Sequence, residues 1–313
     1  MGVVPWRVAR VIHVLTGCTA VGKTELALRW AEARGAEIVS CDSLLFYRGA
    51  DLGTAKPTPR ERQRVPHHLI DICAITERMD VTEYVTKARV AIEDIGRRGR
   101  AVLVTGGSGF YLKAFFAPVA DEVAVPAEIR DGVRQRFEQQ GLPALVAELA
   151  RLNPAGLGAL DVKNPRRVTR ALERSLASGR TLAELQADFA ALRAPFADYE
   201  VGLCELGREP AELDARIVQR VTAMLAAGLV AEVRGLLAAG LAHNPSAAGA
   251  IGYRETIDFF QGRLAEKDLA AAIAQNTRGL VKKQRTWFKT QLPPHRTVDA
   301  TSARIDDLFA PPV

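Results

Sequence analysis

Short apolar runs alternate, along the first hundred or so residues, with stretches in which apolar side chains recur every three or four positions. Residues 11–15 (Val-Ile-His-Val-Leu), 36–41, 68–72 and 101–105 are brief apolar runs of the kind that form buried strands. Residues 25–31 follow helical spacing. So do residues 81–97, which place Val81, Tyr84, Val85, Ala88, Ala91, Ile92 and Ile95 on one face ahead of Gly96 and Gly99. Strands alternating with helices predict a parallel α/β sheet.

The pattern changes at Pro118. Residues 119–195 contain no strand-like run, only short helical segments separated by Gly141-Leu142-Pro143, Asn153-Pro154 and Asn164-Pro165. The last of these covers residues 166–178, with Asn164 as cap, Pro165 opening the helix and Gly179 ending it. A strand returns at residues 199–206, and long helices follow over 209–239 and 264–290. An α/β core built from residues 1–117 and 196–313, with a helical insertion at 118–195, is the simplest architecture. There are no internal repeats.

Composition narrows the class only slightly. A chain of 313 residues, 48% hydrophobic and 25% charged, has ample material for a core. No apolar run is long enough to cross a bilayer. Residues 1–10, broken by Pro5, Arg7 and Arg10, do not match a secretory signal, and Trp6 stands where an N-myristoylation motif requires Ser or Thr. A cytoplasmic, monomeric protein without a membrane partner is expected. Cys18, Cys41, Cys73 and Cys204 form no CxxC pair and fit buried thiols in a reducing compartment. A net charge of +6 is compatible with a nucleic-acid partner without requiring one.

The chemistry begins at Gly17-Cys18-Thr19-Ala20-Val21-Gly22-Lys23-Thr24, a phosphate-binding loop lying between a strand and a helix. Backbone N–H groups of such a loop converge on an anion, and the helix dipole adds to the attraction. Lys23 supplies a cation for phosphate oxygens, and the Thr24 hydroxyl is placed to ligate magnesium. Asp42, at the end of the second strand, would share that crevice. A carboxylate there holds a metal, acts as a general base or caps a turn. Arg166, Arg167, Arg170 and Arg174 lie on one helix with a single acid, Glu173, an arrangement suited either to solvent or to a phosphodiester backbone. Lys282-Lys283-Gln284-Arg285-Thr286-Trp287-Phe288-Lys289 interleaves cations with aromatics, as an RNA-binding face or an amphipathic helix would. Arg216 and Arg220, four apart, are candidates for a diphosphate contact.

Taken together, the motifs resemble the tRNA dimethylallyltransferases. The phosphate loop and Asp42-Ser43 are joined by Gly53-Thr54-Ala55-Lys56-Pro57, His67-His68-Leu69-Ile70-Asp71 and Gly106-Gly107-Ser108-Gly109-Phe110-Tyr111. Asn164-Pro165-Arg166-Arg167-Val168-Thr169-Arg170-Ala171-Leu172-Glu173, Ile251-Gly252-Tyr253-Arg254-Glu255 and Gln284-Arg285-Thr286-Trp287-Phe288 complete the set, in order, to about residue 290. The resemblance implies a dimethylallyl diphosphate donor, magnesium, and the exocyclic N6 of the adenine beside the tRNA anticodon as nucleophile. It makes Asp42 the base, Arg220 rather than Arg216 the leaving-group cation, and Ser108 a substrate contact. It further implies tRNA contacts from Asp42, Ser43, Leu44, Leu45, Ser108 and Arg130, and from Arg166, Arg167, Val168, Thr169 and Arg170. Gly249, Ala250, Ile251, Gly252, Tyr253 and Arg254 follow, then residues 282–289, with the helical insertion closing over the anticodon stem-loop. Three positions depart from the family pattern: Cys18 for proline, Val21 for serine and Ser108 for threonine. Loss of a hydroxyl at Val21 is expected to bear on donor affinity. A small-molecule or nucleotide kinase would use the same loop on ATP but leaves the arginine helix and residues 282–289 unexplained. A non-catalytic RNA-binding module leaves the intact Lys23, Thr24 and Asp42 unexplained.

Overall fold

The structure is a computed structural model that describes residues 11–121 and 123–309. The reading of residues 1–10 lies outside the described part. In chain order the elements are β1 (Val11–Gly17), α1 (Lys23–Arg34), β2 (Ala36–Ser40), α2 (Pro59–Arg64), β3 (His67–His68), α3 (Val81–Arg97), β4 (Ala101–Thr105) and α4 (Gly109–Lys113). Then come α5 (Ala127–Leu152), α6 (Pro165–Ser178) and α7 (Leu182–Ala191). The chain ends with β5 (Glu200–Gly207), α8 (Pro210–Ala226), α9 (Leu229–Ala238), α10 (Pro245–Ala248), α11 (Tyr253–Phe260), α12 (Glu266–Gln291) and β6 (Arg296–Asp299).

The six strands form one all-parallel sheet in the order β3-β2-β4-β1-β5-β6. A buried parallel strand needs apolar side chains on both faces. β1 and β4 supply them through Ile12, Val14, Leu15, Val102, Leu103 and Val104, all buried. The register pairs Leu15 with Thr105, and Ser40 with Thr105, so β1, β2 and β4 end level with one another. The loops beyond those ends are the phosphate loop, the turn at Asp42 and the turn at Gly106. Gly106 is required there, because a Cβ on it would stand 2.0 Å from the Cys41 carbonyl oxygen.

Contacts divide the chain into two compact units, one of residues up to Ala117 and from Ala194 onward, the other Pro118–Arg193. The second unit has its own small core of Val133, Leu145, Leu149, Val168, Ala171 and Leu172. Its longest helix, α5, is interrupted at Gly141, whose φ of 75° is non-helical and which precedes Pro143. Asn164 caps α6 by accepting a hydrogen bond from the Arg167 N–H at 3.3 Å.

Three expectations are corrected. The strand expected over residues 68–72 is only His67–His68, since Leu69 and Asp71 adopt positive φ (60° and 58°). The single helix expected over residues 209–239 is two, bent by 62° and parted at Gly228, whose φ is 103°. β6 is an edge strand that the reading did not include. All four cysteines are buried and free. Among the described residues no single helix is long and apolar enough to cross a membrane; only the bent pair α8 and α9 passes a length-and-composition test, and its Leu213, Ile217, Val221, Leu229, Val233 and Leu236 are buried in the core.

Candidate active site

A cavity of about 480 Å³ opens over the carboxyl ends of β1, β2 and β4 and brings together Lys23, Thr24, Asp42, Thr54, Gly107, Arg220 and Gln284. Strand ends of a doubly wound sheet converge on such a crevice. The residues are far apart in sequence, so the fold assembles the site.

The phosphate loop supplies the first wall. Gly22 caps α1 with a left-handed φ of 110°, which turns the loop into the helix start. Lys23 Nζ donates to the Gly17 and Cys18 carbonyl oxygens at 2.7 and 2.9 Å, two of the three bonds an ammonium can make. Burial pushes its pKa down to about 8, while the Cys18 thiol and Asp42 pull it up and Arg220 pushes it further down. Arg220, on α8, is half-buried and, among the described residues, donates only a long 3.5 Å bond, to the Thr54 carbonyl. Burial lowers its pKa as well, and Asp42 opposes that. Two desolvated cations near one carboxylate make a place where a further negative charge is welcome.

Arg216 and Arg208 take a different part. Arg216 Nε donates to the Ala20 carbonyl at 2.8 Å and Arg208 Nε to the Val21 carbonyl at 3.0 Å, so both guanidiniums brace the loop backbone, and Arg216 also lines the cavity. Sequence reasoning passed over Arg208, although its place directly after the carboxyl end of β5 was a usable signal. Cys18 and Val21 are core side chains, 3% and 0% exposed, and only their backbone can serve a donor. The Val21 side chain is packed in the core and does not line the cavity, a correction to its expected effect on donor affinity.

Asp42 and the Gly106-Gly107 turn form another wall, and Ser108 follows that turn. Asp42 Oδ1 accepts the Leu44 N–H at 3.0 Å, while among the described residues Oδ2 is engaged by no hydrogen bond. The Ser108 hydroxyl accepts the Ser43 N–H at 2.9 Å and lies 3.2 Å from the Ser43 hydroxyl, tying the β4 turn to the Asp42 turn. The Gly53-Thr54-Ala55-Lys56-Pro57 segment explains itself here. Lys56, its side chain 3% exposed, is held by the Tyr47 carbonyl at 2.7 Å and by Asp51 and Asp71. Burial pushes the Asp71 carboxyl up, but hydrogen bonds from Lys56 and Arg62 outweigh it and leave the pKa low. Glu232, which the sequence did not single out, accepts the N–H groups of Asp51, Leu52 and Gly53 at 3.2, 2.7 and 3.1 Å and the Tyr253 hydroxyl at 2.8 Å. That anchor fixes the segment from which Thr54 meets Arg220.

A family model described as IPP transferase matches residues 45–291. This chain belongs to that family. It is 64% identical over 293 residues to a tRNA dimethylallyltransferase of Opitutus terrae, covering 94% of each chain. Identity to the enzyme of that name from Deinococcus radiodurans is 40% over 287 residues, covering 91% of each. Among solved structures, the tRNA isopentenylpyrophosphate transferase of Bacillus halodurans superposes with a TM-score of 0.66 at 30% identity, over 93% of this chain and 90% of that one. A eukaryotic dimethylallyltransferase described as acting on tRNA gives a TM-score of 0.80 at 25% identity, over 93% of this chain and 74% of that one.

The residues that the sequence resemblance led us to expect at an RNA interface divide by exposure. Arg166, Arg167 and Arg170 are exposed on α6, as is Arg130 on α5, which holds the Val125 carbonyl at 2.7 Å; Thr169 is half-buried. Lys282, Lys283, Arg285, Thr286 and Lys289 are exposed on α12, and Gly249 and Arg254 on the segment around α10 and α11; Ala250 and Ile251 are half-buried. Ser43, Leu44 and Leu45 are half-buried beside Asp42. Val168, Gly252, Tyr253 and Phe288 are buried. The side chains of Val168, Tyr253 and Phe288 are corrected from RNA contacts to core residues: Tyr253 packs its ring where a Cβ on Gly53 would lie, 2.1 Å away. Trp287 is half-buried over Gly109. Arg174 leaves the exposed row, being paired with Asp121.

Proposed function

We infer that this protein transfers a dimethylallyl group from dimethylallyl diphosphate to N6 of the adenine at tRNA position 37, 3′-adjacent to the anticodon, releasing diphosphate. The observation that carries the reading is the pairing, within one cavity, of two desolvated cations, Lys23 and Arg220, with the Asp42 carboxylate held by a turn. A diphosphate leaving group gathers charge as its bond to C1 breaks, and Lys23, Arg220 and the loop amides are positioned to stabilise it. N6 forms the new bond to C1 and gives up its proton to the Asp42 carboxylate, for which Oδ2 is the open acceptor. Ser108, tied to the Asp42 turn, orients the acceptor. An adenine in a single-stranded loop leaves its stack at modest cost.

Magnesium fits the donors present. The Thr24 hydroxyl and Asp42 carboxylate both line the cavity and are hard oxygen ligands, and among the described residues no cluster of three or more His, Cys, Asp or Glu offers a different metal site. Thr24 would hold the ion, with donor oxygens and water completing the shell, which leaves Asp42 Oδ2 to the proton. When bound it neutralises charge on the diphosphate. The protein acts as a cytoplasmic monomer on this reading.

Exposed arginines on α6 and the cations of α12 serve the tRNA backbone. Replacing Arg166, Arg167 and Arg170 together with alanine is expected to weaken tRNA binding and flatten its dependence on log salt by about 2–3 units. An unchanged slope would return the three to a solvated face. The same change at Arg174, spent on Asp121, is expected to leave the slope alone. The reaction itself is tested by incubating the protein with magnesium, dimethylallyl diphosphate and unmodified tRNA, then examining the nucleosides by mass spectrometry. Isopentenyl adenosine is the expected product. Its absence, with ATP consumed in a parallel reaction, would favour a kinase, a reading that none of the relatives above supports.

A further inference from the structure

Gln284 lies in the middle of the basic stretch of α12, yet it does not share the exposure of its neighbours. Lys282, Lys283 and Arg285 face solvent, whereas Gln284 is half-buried and lines the cavity. Both ends of its amide are used. Oε1 accepts the Thr19 N–H of the phosphate loop at 2.9 Å, and Nε2 donates to the Gly107 carbonyl at 2.9 Å. Its two partners stand 265 and 177 residues away in sequence.

We propose that Gln284 is a positioning residue that sets the donor loop against the Asp42 turn, and is not an RNA contact. The hydrogen bonds run continuously across the site. Thr19 is bridged by Gln284 to Gly107, the next residue is Ser108, and the Ser108 hydroxyl holds Ser43 beside Asp42. One end of this chain is the diphosphate loop and the other is the base, so its length fixes how far C1 of the donor lies from the nucleophile. The residue type matters. A side chain here needs an acceptor and a donor at the same reach, which glutamine supplies; glutamate lacks the donor and lysine the acceptor. The space is equally specific. A Cβ on Gly107 would lie 2.8 Å from Gln284 Nε2, so a larger residue there would push the amide aside.

The proposal rests on the prenyl-transfer reading and on Asp42 as base, and its test separates the two. Gln284→Met keeps the volume and removes both hydrogen bonds. Gly107→Ala keeps Gln284 and pushes its amide away. Each is expected to lower kcat at saturating tRNA by about 10–100-fold, the scale of a reactant misplaced by about an ångström. Each is also expected to weaken binding of inorganic pyrophosphate, measured by calorimetry, while affinity for an anticodon stem-loop and the Tm stay near wild type. The double variant should be no worse than the more severe single, because both changes break one link. Weaker stem-loop binding with unchanged kcat would make Gln284 an RNA contact and overturn the proposal, as would additive losses in the double variant. If Gln284→Met fails to fold, Gln284→Leu gives the same reading, since it also removes both hydrogen bonds and adds no charge. A wild-type protein that binds pyrophosphate but forms no isopentenyl adenosine refutes the prenyl-transfer reading alone; pyrophosphate affinity then still decides the role of Gln284, unchanged affinity in the variants refuting it.

Discussion

Asp42→Ala is expected to lower prenylation by about 10²–10⁴-fold, the usual contribution of a positioned general base, with tRNA affinity close to wild type. The size of the effect follows from the nucleophile. An exocyclic adenine amine is weakly nucleophilic, and the bond to C1 forms only as its proton is taken or held. The Asp42 turn places one carboxylate oxygen on the Leu44 N–H and leaves the other toward that task. Alanine removes both functions, so Asp42→Asn is the sharper variant: its amide oxygen still accepts the Leu44 N–H, and it cannot serve as a base. Single-turnover rates with saturating donor and tRNA are the measurement. Near-wild-type chemistry in Asp42→Asn would leave the carboxylate a turn-forming residue, and loss of tRNA binding in step with rate would make it a substrate contact.

What the sequence made legible, and what it left hidden, follows from the range of the interactions involved. The phosphate loop is local: strand, glycines, lysine and helix lie within about two dozen positions, and their order alone specifies a fold for the backbone. The Val81–Arg97 helix and the Ala101–Thr105 strand were equally readable, since periodic apolar positions mark the first and a continuous buried run the second, each along its own length. β3 was overread because His-Leu-Ile-Asp-Ile has the composition of a strand. What ends it is tertiary, the pull of Lys56 and Arg62 on the Asp71 carboxylate with the chain turned to positive φ. The break between α8 and α9 was missed because apolar residues continue through it at Leu225, Leu229 and Val233, masking the turn at Gly228. β6 is short and mostly polar, and its pairing with β5 is what makes it a strand. In the site, Lys23, Thr24 and Asp42 announced themselves by motif and position. Glu232 could not, and Gln284 stood out only inside a motif expected to meet RNA, because an acid that accepts three backbone N–H groups and an amide that bridges two loops look, in sequence, like any polar residues on helices.

Lys23→Ala is expected to reduce kcat/KM for the diphosphate donor by about 10²–10³-fold, as removal of one preorganised charge from a developing anion does. pH supplies a second, independent signature. Burial brings the Lys23 pKa down to about 8, against the upward pull of the Cys18 thiol and Asp42. The cation is the protonated form, so its contribution is complete below that value and is lost as pH rises through it. kcat/KM reports the free enzyme, and should therefore decline above about pH 8. kcat reports the loaded enzyme, in which the bound diphosphate stabilises the ammonium and carries the decline to higher pH. Lys23→Ala should lower the plateau and abolish the alkaline limb together. Unchanged donor kinetics would remove Lys23 from the diphosphate site. A limb that persists in Lys23→Ala would belong to a different group, and would leave the lysine a brace for the Gly17 and Cys18 carbonyls that it already holds.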